Sequence, residues 1–208
     1  MPKINLSPRK APLQSRAQTM VSLILEAAAR VLARESLTGF NTNRVAQVAG
    51  ISIGSLYQYF PNKSALMAAL IERAQDELAQ SLEQLVAQLD TQSLEDALLA
   101  VAQLAVKQQY ANPLLAAALD YEEKRLPVQK LLLQTESRLL ASVGALLQSH
   151  HAELAKELPE AAARDCLVIA KALVEAEAHL RRKPPPDLDR RVVRALMGYL
   201  TWLPEKSA

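Results

Sequence analysis

An all-α fold is what this sequence predicts, and three observations carry the prediction. Apolar residues recur at intervals of three and four along most of the chain. Prolines stand between those stretches, as expected of a residue that breaks a helix interior but is tolerated in its first turn. No stretch alternates polar and apolar residues for long enough to nominate a strand. The spacing of the breaks gives about nine helices.

The elements follow in order. Residues 1–16 are polar, punctuated by proline and basic, and read as a mobile tail. Val21, Ile24, Ala28 and Val31 then mark a helix over about residues 17–35 that closes at Gly39, a residue suited to a left-handed cap. Residues 41–60 hold two short helices. After Pro61, a long helix over 62–89 carries Ile71, Leu78, Leu82, Leu85 and Leu89 on one face. Leu94, Leu98, Val101 and Ala105 repeat the pattern, and Pro113 and Pro127 set the next boundaries. Two strongly amphipathic helices, over about 161–182 and 186–203, end the chain.

Of the 208 residues, 50% are hydrophobic, 22% charged and 4% aromatic, a balance that supports a buried core and excludes a wholly disordered chain. The lone Cys166 has no intramolecular partner for a disulfide. No apolar run approaches the ~20 residues of a membrane span. The best candidate, Ala97–Val106, is interrupted by Gln103. The basic N-terminus lacks the apolar core of a signal peptide, so a cytoplasmic protein is expected. Charge is unevenly divided. Residues 1–63 hold eight Lys and Arg against Glu26 and Glu35, a balance of +6, and the remainder carries −4 of the net +2. A basic head on a mildly acidic body suits a polyanion partner for the head alone.

The segment Asn41–Lys63 differs from the rest. Three of the five glycines and four of the eight aromatic residues fall between residues 39 and 60. Thr42 is suited to cap a short helix, Asn43–Ala49; Gly50 supplies a tight turn and Ile51 plugs it. Ser52 caps a second helix that runs to about Tyr59 and is anchored by Leu56 and Phe60 at i, i+4. Two short helices joined in this way form a helix-turn-helix, which leaves Ile53, Gly54, Ser55, Tyr57 and Tyr59 facing outward or at the edges.

The run Thr42–Lys63 resembles the DNA-binding domain of the tetracycline-repressor (TetR) family of transcriptional regulators. The resemblance lies in Ala46…Gly50-Ile51-Ser52, in Gly54-Ser55-Leu56-Tyr57, in Tyr59-Phe60 followed by Lys63, and in the flanking helices. It covers roughly residues 17–77 and implies an N-terminal three-helix DNA-binding domain over 17–77, with its helix-turn-helix at 41–60. A helical ligand-binding and dimerisation domain over 78–205 would follow. It also implies a homodimer that places two recognition helices on a palindromic double-stranded operator. Ser55 and Ile53 would approach base edges, while Thr42, Asn43, Tyr57, Tyr59 and Lys63 would hold phosphates. Ser52 serves first as an N-cap, at the edge of the same surface. The implied function is a repressor released by a small-molecule inducer, with the fourth helix as the lever.

Beyond residue 77 the sequence offers candidates rather than motifs. Tyr110, Asp120 and Tyr121 are the polar choices for an inducer site, and the scarcity of aromatic residues favours a small aliphatic cavity. Leu173, Ala176, Leu180, Val192, Leu196 and Tyr199 are candidates for a helical dimer face. No cofactor or metal is expected, because His150, His151 and His179 lack a ligand spacing. Nor is an enzyme expected: the chain has no P-loop, dinucleotide fingerprint or nucleophile elbow, and Cys166 sits in an apolar stretch that suits a core residue. A helical module that binds only protein partners is the rival reading.

Overall fold

The computed structural model describes residues 15–89, 93–150 and 161–202, which form nine helices and no strand. The chain divides into two compact units, residues 1–75 with 112–132, and residues 76–111 with 133–208.

The first unit contains α1 (Ser15–Gly39), α2 (Thr42–Ala49), α3 (Ile53–Tyr59), the opening half of α4 (Lys63–Val86) and α6 (Pro113–Arg125). Ile24, Ala28, Val31 and Leu32 of α1, Val45 of α2, and Leu66 and Ile71 of α4 are buried together with Leu56 and Phe60. The expected tail therefore ends sooner than residue 16, since Ser15 and Arg16 already belong to α1; residues 1–14 lie outside the described residues. Segment 112–132, which the sequence leaves with the regulatory body, packs here against α1. Its helix starts where proline predicts: Asn112 caps it by accepting from the Leu115 amide at 3.2 Å, and Pro113 takes the first turn.

Two local expectations are corrected. Gly39 does not carry a left-handed cap. Ser36 takes the positive φ instead (57°, with ψ −171°) and kinks α1 three residues earlier. The need for glycine at 39 is steric, because a Cβ there would stand 2.6 Å from the Glu35 Cβ. The cap of α2 is Asn41 rather than Thr42. The Asn41 Oδ1 accepts from the Arg44 amide at 2.9 Å and its Nδ2 donates to the Gly39 carbonyl at 3.2 Å, so one side chain serves both helix ends.

The second unit holds the rest of α4, α5 (Leu94–Ala111), most of α7 (Gln129–Ser149), α8 (Ala162–Leu180) and α9 (Leu188–Thr201). α5, α8 and α9 pack on one another around Leu94, Leu98, Cys166, Val174, Leu188 and Val192. On its surface Arg138 of α7 grips α4. Its Nε and Nη2 donate to the two Glu83 oxygens at 2.8 Å each and its Nη1 to Asp76 at 3.3 Å, while the Thr135 hydroxyl donates to the same Asp76 oxygen at 2.5 Å. The guanidinium holds the Glu83 carboxyl below its ordinary range, chiefly through these hydrogen bonds. No described helix is long and apolar enough to cross a membrane.

Candidate nucleic-acid interface

The helix-turn-helix is built by turn chemistry within a dozen residues. Gly50 adopts φ 68°, ψ 29°, a conformation that carries a penalty for any residue with a Cβ. Its amide donates to the Gln47 carbonyl at 3.2 Å and that of Ile51 to the Ala46 carbonyl at 3.0 Å, the paired bonds of a Schellman stop. Ile51 then packs on the core, as the residue after such a stop commonly does. Ser52 starts the next helix, its Oγ accepting from the Ser55 amide at 3.0 Å. Leu56 and Phe60 are wholly buried, which fixes the rotation of α3 and forces its other face outward.

That outward face carries Ile53, Gly54, Tyr57 and Gln58, all exposed, with Ser55 half-buried beside them. Tyr57 keeps 40% of its surface, and its hydroxyl lies 3.0 Å from the Thr42 Oγ1 at the start of α2. Because Asn41 does the capping, the Thr42 hydroxyl is left to make this bond. Ser52 and Ser55 form a second hydroxyl pair, Oγ to Oγ 2.8 Å. Asn43 is exposed in the first turn of α2, and Lys63 is exposed in the first turn of α4, its Nζ 5.3 Å from the centre of the buried Phe40 ring. Tyr59 is half-buried and packs against the core.

Gln58 was missed in the sequence. It lies four residues after Gly54, on the same stripe of α3, and its exposure follows from the inward positions of Leu56 and Phe60. A carboxamide there can pair with adenine in two hydrogen bonds. Arg44 plays a smaller part than its charge suggests, since its Nε donates to Glu35 at 2.7 Å and its Nη1 to Gln47 at 2.8 Å. The basic head is thus partly neutralised from within, next to the turn.

The remaining candidates separate. Tyr110 lies in the last turn of α5 in the second unit, whereas Asp120 and the exposed Tyr121 lie on α6 in the first. The Tyr110 hydroxyl is buried without a hydrogen bond, and burial, then the nearby Glu177 charge, raises its pKa. Of the dimer candidates, Val192 and Leu196 are interior side chains at 0% and 2% exposure, and Leu173 packs against the same core. Tyr199 donates to Asp165 at 2.6 Å. Val192 and Leu196 thus serve the unit's own interior, while Leu173 and Tyr199 stay half-buried. Ala176 and Leu180 do reach the surface and continue an exposed stripe from Val168 and Ala172, with Leu180 at 79% and Val168 at 60%. An aliphatic cavity of about 30 Å³ lies inside the second unit, with walls that include Val86, Leu98, Leu146, Cys166 and Leu196. Burial pushes the Cys166 thiol up to about 12, so it is a poor thiolate nucleophile. Among the described residues no three His, Cys, Asp or Glu side chains gather in a way that could hold a metal.

Residues 24–70 match the family described as bacterial regulatory proteins, tetR family. A stretch of 71 residues is 34% identical to the nucleoid occlusion factor SlmA of Haemophilus ducreyi, covering 34% of this chain and 33% of that relative, so the match spans about a third of its length. Among solved structures, a TetR transcription regulator from Haloarcula marismortui superposes with a TM-score of 0.70 at 16% identity, covering 88% of this chain and 97% of the other. The multidrug binding protein EbrR, solved with imidazole, gives 0.64 at 20% identity, covering 89% and 97%. At these identities the two structures speak to the fold.

Proposed function

We propose that this chain, which belongs to the tetR family of bacterial regulatory proteins through its N-terminal domain, is a ligand-responsive repressor that binds a palindromic operator as a homodimer. The observation that carries the reading is the outward face of α3. It presents Ile53, Gly54, Ser55 and Gln58 over fully buried anchors, and the hydroxyl and amide groups of Thr42, Asn43 and Tyr57 stand beside it. A helix so held fits a major groove of ~12 Å width, and the glycine and serine allow close approach. Ile53 touches thymine methyls, Ser55 and Gln58 read base edges, and Thr42, Asn43, Tyr57, Tyr59 and Lys63 hold phosphates. Ser52 organises the N-terminus of the reading helix.

A two-fold operator needs a two-fold protein. The stripe Val168, Ala172, Ala176 and Leu180 supports a helical face for a second copy, since apolar side chains at i, i+4 spacing exposed to this degree gain by being covered. Ligand control acts by population shift: an effector held in the second unit favours a separation of the two recognition helices that no longer fits the half-sites. The action is cytoplasmic because the partner is the chromosome. Footprinting the region upstream of the chain's own gene tests the proposal. A discrete protected palindrome is expected, bound ~10³-fold or more tighter than random duplex and weakening steeply with salt. Weak binding that is indifferent to sequence would overturn it in favour of a protein-binding module.

A further inference from the structure

We infer that Gln58 selects adenine at the centre of each half-site contact and that Gly54 is kept bare so that this A·T pair can reach the helix; the inference rests on the operator-binding reading above. The placement follows from the buried anchor. Leu56 is wholly buried, and Gly54 and Gln58 lie two residues to either side of it. Two residues turn a helix by about 200°, so both positions stand on the side directly away from the core. Both are exposed. Ile53 and Tyr59, three residues from Leu56 in either direction, lie back towards the core side and flank this stripe. Helical side chains lean towards the N-terminus, so Gln58 leans over the turn in which Gly54 has no side chain.

The fold gives Gly54 no reason to be glycine. Gly50 holds φ 68°, and a Cβ on Gly39 would stand 2.6 Å from that of Glu35. Gly54 is neither left-handed nor crowded: a Cβ there would meet only the Ser52 Oγ, at 3.8 Å, an ordinary contact. Glycine is also a poorer helix former than alanine. A residue that weakens its helix and relieves no clash inside its own chain points to close approach from outside. The carboxamide beside it names the base. It holds a donor and an acceptor side by side, which match the N7 acceptor and N6 donor of adenine in the major groove. Guanine offers two acceptors there and is read by arginine or lysine. α3 carries neither, and Arg44 of α2 is held by Glu35 and Gln47. Among the described residues no hydrogen bond engages the Gln58 carboxamide, which leaves both of its groups for DNA.

Selection of bound duplexes from a random pool, with the full chain and with Gln58→Ala, Gln58→Arg and Gly54→Ala, tests the inference. The parent should enrich a palindrome with one A·T pair per half-site whose preference Gln58→Ala abolishes, a loss of ~5–150-fold in discrimination at that pair. Gln58→Arg should move the preference there to guanine. Placing 7-deazaadenine at the same position, which removes only the N7 acceptor, should weaken binding by the parent and leave that of Gln58→Ala unchanged. Gly54→Ala should melt about 1–4 °C higher than the parent and yet bind the palindrome ~5-fold or more weakly. Base preferences that survive Gln58→Ala, a G·C pair at the position it frees, indifference of the parent to 7-deazaadenine, or a Gly54→Ala protein that melts lower or binds as tightly as the parent would each overturn the inference and leave the regulator reading standing. A pool that yields no enriched sequence overturns both.

Discussion

Thr42 and Tyr57 should behave as a single phosphate-binding device. Their oxygens lie 3.0 Å apart, and either can be the donor. Whichever donates uses its only proton on the other, so the pair offers one free O–H to DNA rather than two. A hydrogen bond from that proton to a phosphate is worth about 1.5–3 kcal/mol, because the acceptor is charged. Removing the hydroxyl that bears it, by Tyr57→Phe if the exposed phenol is the outer member, should weaken binding about ten- to hundredfold. Thr42→Val would then remove the positioning bond and cost less, on the order of 0.5–1 kcal/mol. The double variant should bind no worse than the weaker single, so the interaction energy equals the smaller effect. Anisotropy titrations of the four proteins against the operator and a random duplex measure this cycle. The fold losses should match on the two duplexes, since a phosphate contact positions without reading sequence, and the salt slope should stay the same because no charge is lost. Single effects that add to within ~0.3–0.5 kcal/mol would show two independent contacts and refute the reasoning. Losses confined to the operator would place the pair at a base edge instead.

Lys63→Ala should lower the slope of log affinity against log salt by about 0.9, and Lys63→Arg should restore it; an unchanged slope would remove Lys63 from the phosphate contacts. Ser36→Gly should raise stability by about 1 kcal/mol, since relief of ~1–3 kcal/mol of strain at φ 57°, ψ −171° exceeds the ~0.5–1 kcal/mol entropy cost of glycine. A lower melting temperature would mean that the Ser36–Thr38 hydroxyl contact at 2.9 Å matters more than the strain. Tyr199 is pushed up to about 12 by burial and then by its bond to Asp165. Its contribution should be complete below pH 10, the ordinary tyrosine value, and be lost as the pH rises through about 12. Urea titrations between pH 9 and 11 should therefore show a shallower alkaline decline for Tyr199→Phe than for the parent, and parallel curves would contradict the shift. Val168→Glu or Ala176→Glu should convert the dimer to monomer in sedimentation, whereas a persistent dimer would locate the subunit contact elsewhere.

The parts of this molecule legible in the sequence are those decided locally. Gly50, Ser52, Leu56 and Phe60 fix the turn, the cap and the rotation of α3 within eleven residues, and each acts through a bond or burial that depends only on near neighbours. Where two neighbouring residues can do the same work, the sequence alone does not choose. Asn41 and Thr42 are both capping types, and the choice falls to Asn41 because its amide also reaches the Gly39 carbonyl across the end of α1. Arg44 reads as a free charge in the sequence, whereas the fold sets Glu35, nine residues away, against its guanidinium. In the second unit the limit is of another kind. Helical periodicity states that Val192, Leu196 and Leu180 belong to apolar faces but is silent on what covers each one. Three α-helices folded on one another bury the first two, and Leu180, past the end of that packing, stays at the surface. An apolar stripe read from a sequence is thus a demand for a partner. Only the tertiary packing tells whether the chain supplies that partner itself or leaves it to a second molecule.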